Sequence, residues 1–171
     1  MTTWMGALSR SGVLPSTDAA RAGEAVAAYV VGEERMQDLR SFFEKAEPAE
    51  KTRERRAAVR ACIAMAQSDR DVHPEERHLL RSLVANSGLD ADTQDELVML
   101  VHEPESLDGL EDELTHPVLR ELMLALVWEL ALADGRVDDS ETDFYRALAA
   151  QLDVDSARAQ EISDAVAERL G

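Results

Sequence analysis

The chain has 171 residues, enough for one well-buried domain but short for two independent cores. Apolar residues make up 45% of the sequence and aromatic residues only 4%, so Ala, Leu and Val must build the core, which predicts an all-α protein. With 35 acidic against 18 basic side chains the formal charge is −17, which argues against nucleic acid and anionic lipid as partners.

Near the N-terminus the sequence indicates one long helix with weak points. Its apolar residues follow the i, i+3, i+4 spacing of a helix face. The polar residues 16–18 are suitable N-caps, Pro48 ends the helix, and Gly23 and Gly32 interrupt it. The residues before this helix lack the continuous apolar stretch of a secretory signal, so we expect a cytoplasmic protein.

Three further helices are predicted between residues 49 and 103. The first covers 49–68 and carries Cys62, the sole cysteine, among apolar neighbours that predict a buried, unreactive side chain. The second starts at Pro74 and ends at Gly88, and the third is stopped by Pro104.

The last third of the chain contains the most apolar segment. After a short acidic helix or turn interrupted by Gly109, a helix starts at Pro117 and is apolar around most of its circumference, which predicts a central position. Two amphipathic helices, within 138–152 and 155–170, follow. No apolar run reaches the ~20 residues needed to span a bilayer, so we expect no integral membrane segment.

These elements predict a compact helical bundle of about seven to nine helices. We expect a single core formed by a helical domain at 48–171 and an N-terminal helical arm at 1–47. The apolar face of the arm has three alternative roles: docking on the core, covering a partner site, or forming a homodimer.

An internal repeat becomes visible when 66–90 is aligned with 131–155. The stretches AQSDRDVHPEE and ALADGRVDDSE share an aspartate, a valine and a glutamate at equivalent positions. The simplest interpretation is two pseudo-symmetric units, each a helix, an acidic turn and a second helix.

Two known patterns, the EF-hand loop and the helix capping box, can be compared with the acidic turns. Gly135, Val137 and Glu141 fit the second half of a calcium-binding EF-hand loop, but the first half lacks carboxylates, so the turn is no EF-hand. Helix capping is the other alternative: Asp138 as N-cap with Glu141 at N3 forms a capping box. In the first copy, the same alignment makes His73 the N-cap and places Pro74 at N1 and Glu76 at N3. Capping and metal binding both stay open for the two glutamates.

The paired aspartates favour a bound cation. Asp69 and Asp134 fall at the C-terminal ends of apolar helices, where the helix dipole disfavours a carboxylate by ~0.3–1 kcal/mol. If the two units pack symmetrically, a four-carboxylate site forms, suited to Ca²⁺ or Mg²⁺. Its members are Asp69, Glu76, Asp134 and Glu141. Salt bridges from Arg70, Arg77 or Arg136 are the alternative for the aspartates.

The residues around these turns resemble the tellurite-resistance TerB-like family. The resemblance rests on HPVLRELMLALVWEL with ALADGRVDDSETDFYRALAAQL, and on the weaker AMAQSDRDVHPEERHLLRSLV, and it covers roughly 50–160. It implies a small all-helical cytoplasmic protein of tellurium-resistance and stress-response operons, with a divalent-metal site at the four carboxylates named above. Arg70 and Asp71 depart from the family pattern, which favours a glycine turn.

Three functional hypotheses follow. The leading one is a non-enzymatic, metal-binding module that acts through protein partners. The second is a carboxylate-bridged metalloenzyme, for which Glu75 and His78 supply one E-x-x-H pair, whereas the second copy has Ser140 and Asp143 at the equivalent positions. The third is a metal-free scaffold with its partner surface on the N-terminal arm. The apolar side chains proposed for that surface are Trp4, Met5, Leu8, Tyr29, Phe42 and Phe43.

Overall fold

The computed structural model describes residues 26–68, 74–103, 106–133 and 137–171, without the side chains at 75, 76, 79, 130 and 133. Every regular element in these ranges is an α-helix, which confirms the all-α prediction. The helices are α1 Val26–Val31, α2 Glu33–Lys45, α3 Pro48–Ala66, α4 Pro74–Ala85, α5 Ala91–Leu100, α6 Leu110–Glu113, α7 Pro117–Ala133, α8 Asp139–Gln151 and α9 Ser156–Leu170.

Helix α7 forms the centre of the bundle, as the apolar residues around most of its circumference predict. It contacts α1, α2, α3, α8 and α9. Six consecutive side chains, from Leu122 to Val127, are each at most 2% exposed. A helix that is apolar around most of its circumference is stable only when neighbours cover most of it, and α7 has those neighbours.

Helix α3 is the second buried helix. Its last ten residues, 57–66, are all buried, and α3 packs against α4, α5, α6 and α7. Cys62 lies fully inside this packing, as predicted, and burial raises the pKa of its thiol well above the usual range. The thiol is therefore held in its unreactive protonated form.

Prolines and acidic N-caps set the helix starts. Pro48, Pro74 and Pro117 are the first residues of α3, α4 and α7. Proline suits this position because an N–H in the first turn has no acceptor within the helix. Asp90 accepts a hydrogen bond from Thr93 N at 2.9 Å, and Asp155 accepts one from Ala157 N at 2.8 Å. Both contacts satisfy donors that the first helical turn leaves unpaired.

The predicted N-terminal helix is broken at one of its weak points. Gly32, with φ 97° and ψ 144°, separates α1 from α2. The predicted N-caps at 16–18 and the second weak point, Gly23, lie outside the described residues.

The described part of the N-terminal arm docks on the core. Ala27 and Val31 of α1 and Leu39 and Phe43 of α2 belong to the same buried cluster as α7. The domain boundary at residue 47 stays a prediction. In the described part of the chain, no helix is both long and apolar enough to cross a bilayer.

Candidate functional site

Both acidic turns connect one of the two central helices to the helix that follows it. The first lies between α3, which ends at Ala66, and α4; the second lies between α7, which ends at Ala133, and α8. Each pair of consecutive helices is in contact, and α3 packs directly against α7. The two helix–turn–helix units therefore share the centre of the bundle.

Of the four predicted metal ligands, the side chain of Glu141 is the one that the structure describes. Asp69 and Asp134 lie outside the described residues, as does the side chain of Glu76, whose backbone belongs to the first turn of α4. The convergence of the four carboxylates stays a prediction.

The capping box predicted at the second turn is confirmed. The Asp138 carboxylate accepts a hydrogen bond from Glu141 N, and Glu141 Oε2 accepts one from Asp138 N, both at 2.9 Å. A hydrogen bond from the Ser140 hydroxyl, together with that from Glu141 N, lowers the pKa of Asp138. Both carboxylates therefore help to start α8.

The chemistry of the predicted donor set fits a hard divalent cation. Carboxylate oxygens are the ligands that Ca²⁺ and Mg²⁺ prefer. A carboxylate has about four lone-pair sites, so capping by Glu141 does not exhaust its capacity to accept. Among the residues whose side chains are described, no cluster of three His, Cys, Asp or Glu side chains is placed to hold a metal.

The single E-x-x-H pair lies at the start of α4. His78 is exposed, and the equivalent second-copy residues, Ser140 and Asp143, are exposed on α8. The side chain of Glu75 is outside the described part. The predicted capping role of His73 also falls outside it, whereas Pro74 is the first residue of α4, as expected.

Two buried carboxylates that the sequence did not single out hold helix starts in place. Glu54 on α3 is fully buried and accepts hydrogen bonds from Thr115 N at 3.0 and 3.1 Å and from the Thr115 hydroxyl. Glu129 on α7 accepts from Ala27 N at 3.0 Å and from Val26 N at 3.3 Å. In the sequence, Glu129 stands out as a charged residue within the apolar second half of α7.

An ion-pair cluster joins α2, α7 and α9 at the surface. Glu121 on α7 accepts hydrogen bonds from Arg35 and, at 2.9 Å, from Arg158, which also donates to Glu161 at 3.0 Å. Burial opposes ionisation of Glu121, but the hydrogen bonds from Arg158 and Arg35 outweigh it and lower the pKa of Glu121. The cluster fixes the described part of the arm against the last helix.

A pocket of about 480 Å³ lies between α8 and α9, directly after the second turn. Its floor contains Trp128, whose ring centroid is 4.8 Å from that of Tyr145. The Tyr145 hydroxyl donates to the backbone oxygen of Ala159 at 2.7 Å and so bridges α8 and α9. Burial raises the pKa of Tyr145, which keeps this hydroxyl protonated and able to donate.

A family model described as "Protein of unknown function (DUF533)" matches residues 3–166. The match includes both acidic turns, the described part of the arm and the pocket. No curated protein and no solved structure matches the chain.

Proposed function

The chain belongs to the DUF533 family, and from that premise we propose that it is a non-enzymatic helical module that binds a divalent cation and acts through a protein partner. DUF533 is placed in the TerB-like superfamily, which supports the resemblance carried by the two acidic motifs. A role in tellurite resistance or a related stress response is part of this proposal, as are a cytoplasmic location and a protein partner. With one cysteine, its contribution to tellurite chemistry is indirect.

One observation carries the metal-binding proposal: the repeated acidic turns follow the two buried helices that pack against each other. In the sequence, Asp134 follows Ala133, with which the described part of α7 ends, and Asp69 follows Ala66, the last residue of α3, by three positions. The chain therefore places the same acidic residue twice after a central helix.

The proposal rests on helix electrostatics, which disfavour a carboxylate at a helix C-terminal end unless a cation is bound there. The C-terminal end of a helix carries partial negative charge, so a carboxylate there is disfavoured by ~0.3–1 kcal/mol. Neither α3 nor α7 has a basic residue in its last turn to offset this partial negative charge. A divalent cation bound by both turns removes the repulsion within each helix end and between the two turns.

The proposed ligands are Asp69, Glu76, Asp134 and Glu141. All four supply carboxylate oxygen, and helix-end carbonyls add oxygen ligands of the same kind, so Ca²⁺ or Mg²⁺ is the proposed ion. In this proposal Glu141 has two tasks, since its carboxylate also caps α8 through Asp138 N. Cation binding would thereby stabilise the start of α8.

Thermal unfolding of the chelator-treated full chain tests the proposal. A cation present at ~100 times its dissociation constant should add ~2.7 kcal/mol to the free energy of unfolding, a readily measured rise in Tm. The double variant Asp69→Asn, Asp134→Asn should lose this rise, because the amides keep the size of the side chains but remove two anionic ligands.

The matched control is the double variant Asp71→Asn, Asp139→Asn. It removes the same charge from the same regions but none of the proposed ligands, so it should keep most of the cation-induced rise. Equal loss in both double variants would indicate unspecific attraction to a chain of charge −17, and no rise in the parent protein would refute the metal site.

A further inference from the structure

The pocket between α8 and α9 has the size and composition of a ligand site. Its volume of about 480 Å³ falls in the usual range for small-molecule pockets. Side chains from α8 and α9 line its walls, and Trp128 of α7 contributes to its floor. The lining positions 142 to 150 of α8 extend along roughly 12 Å of helix axis at ~1.5 Å per residue.

The floor is apolar and firmly held. Tyr145 and Ala149 are each 4% exposed, and Ala159 is 6% exposed. Tyr145 is fixed at both ends, by the Trp128 ring and by its hydrogen bond to the Ala159 oxygen. The pocket is therefore preformed, and binding an apolar molecule there requires little reordering of side chains.

Arg146 gives the rim of the pocket a positive charge. It is exposed, it lines the pocket, and it forms no ion pair with a carboxylate of the described residues. Six other arginines of the described residues do pair with a carboxylate. Those paired with carboxylates are Arg35, Arg40, Arg53, Arg56, Arg60 and Arg158.

We propose that this pocket binds an apolar carboxylate, with its hydrocarbon part over Trp128 and Tyr145 and its carboxylate on Arg146. A guanidinium pairs with a carboxylate through two parallel hydrogen bonds, a geometry that suits a rim position. The site is independent of the proposed cation site, since it uses none of the four acidic ligands.

The net charge of the molecule allows a test of whether the pocket prefers an anionic ligand to a neutral one. A formal charge of −17 repels anions, so a bare apolar groove in this protein would bind a neutral molecule in preference to an anion of the same length. A preference for the anion must come from a local cation, and Arg146 is the candidate.

Tryptophan fluorescence provides the measurement. The chain has two tryptophans, and the variant Trp4→Phe leaves Trp128, in the pocket floor, as the sole reporter. In this background we expect octanoate to change the emission saturably and to bind at least about threefold more tightly than 1-octanol. Arg146→Gln should abolish that preference, because it removes the charge and leaves a shorter, neutral polar side chain.

Two alanines of α8 provide a matched pair of variants. Ala150 lines the pocket, whereas Ala147 is exposed on the same helix outside the lining. Ala150→Leu should weaken octanoate binding at least about tenfold by filling the pocket, and Ala147→Leu should leave it within about twofold. Thermal unfolding of both variants shows that each is folded before the titrations are compared.

Three results would overturn the proposal. Equal affinity for octanoate and octanol would show an apolar groove with no role for Arg146. Absence of saturable binding would show that the pocket takes no apolar carboxylate. A dimer that sediments as a monomer after Ala150→Leu would show that a second copy of the chain occupies the groove.

Discussion

At the scale of single residues, two buried carboxylates organise the helix starts. Glu54 on α3 holds the N–H of Thr115, just before α7, and Glu129 on α7 holds two N–H groups at the start of α1. Negative charge is favoured there because a helix N-terminus carries partial positive charge and unpaired donors. Each central helix thus fixes the beginning of another helix.

Glu54→Gln should lower the free energy of unfolding by about 1–3 kcal/mol, because the uncharged amide turns a donor toward the Thr115 N–H and hydroxyl in a buried position. Chemical denaturation measures this change. Glu168→Gln, exposed on α9, serves as the control and should change the free energy by less than ~0.5 kcal/mol. A similar loss in both variants would contradict the role assigned to Glu54.

His116 makes the free energy of unfolding depend on pH. Its ring lies 4.7 Å from that of Phe42, and its buried Nδ1 has no hydrogen-bond partner in the structure as described. Burial lowers the pKa of His116, against an opposing influence from Glu54. The unfolded imidazole, with a pKa of about 6.5, therefore binds a proton more readily than the folded one.

The expected result is a loss of stability on the acid side. The contribution of His116 to the free energy of unfolding is complete above pH ~6.5 and is lost as the pH falls through and below that value. His116→Gln should therefore show a smaller fall in Tm between about pH 7.5 and 5.5 than the parent protein. Val118→Ala, which disturbs the same region but keeps the imidazole, should retain the parent slope, and a parent slope in His116→Gln would refute this account.

At the scale of helices, the break between α1 and α2 depends on Gly32. Its backbone, at φ 97° and ψ 144°, lies in a region that is essentially restricted to glycine, although no atom stands within 4 Å of a built Cβ. Its N–H is bonded to the Ala28 oxygen at 3.0 Å, and its own oxygen accepts from Met36 N at 2.9 Å. The residue therefore closes one helix and opens the next.

Gly32→Ala should destabilise the protein by about 1–3 kcal/mol through backbone strain alone. Thermal and denaturant unfolding report the change. Gln37→Ala, at an exposed position of α2, is the comparison and is expected to cost less than ~0.5 kcal/mol. If Gly32→Ala is neutral, the break between the helices does not need glycine.

Helix positions were largely predictable because local chemistry sets them. The starts at Pro74 and Pro117 and the Asp138 capping box depend on residues within one helical turn, and the central position of α7 follows from its apolar circumference. The split at Gly32 was visible only as a weak point, since glycine permits a break without requiring one.

The buried carboxylates and the pocket were not predictable in the same way. Glu54 and Thr115 are 61 residues apart in sequence, so their contact depends on how α3 and α7 pack. The α8–α9 pocket depends on the separation of two helices, which the amphipathic pattern of each helix does not specify. The acidic turns, by contrast, stand out in the sequence because the same acidic residues recur after two buried helices.

At the scale of the whole molecule, the central pair α3 and α7 connects these features. The two helices pack on each other, each holds a buried carboxylate at another helix start, and each leads into an acidic turn. The proposed cation would join the two turns, and with them the two helix–turn–helix units. A site shared in this way has one ion per chain and needs both turns.

Calorimetric titration of the chelator-treated full chain with Ca²⁺ and with Mg²⁺ tests this shared site most directly, because it counts the ions bound. We expect one specific ion per chain, with binding lost in Asp69→Asn alone and in Asp134→Asn alone, since each turn supplies only part of the ligand set. Binding that survives either single substitution, or no specific binding of either ion by the parent chain, would contradict a cation site built from the two acidic turns.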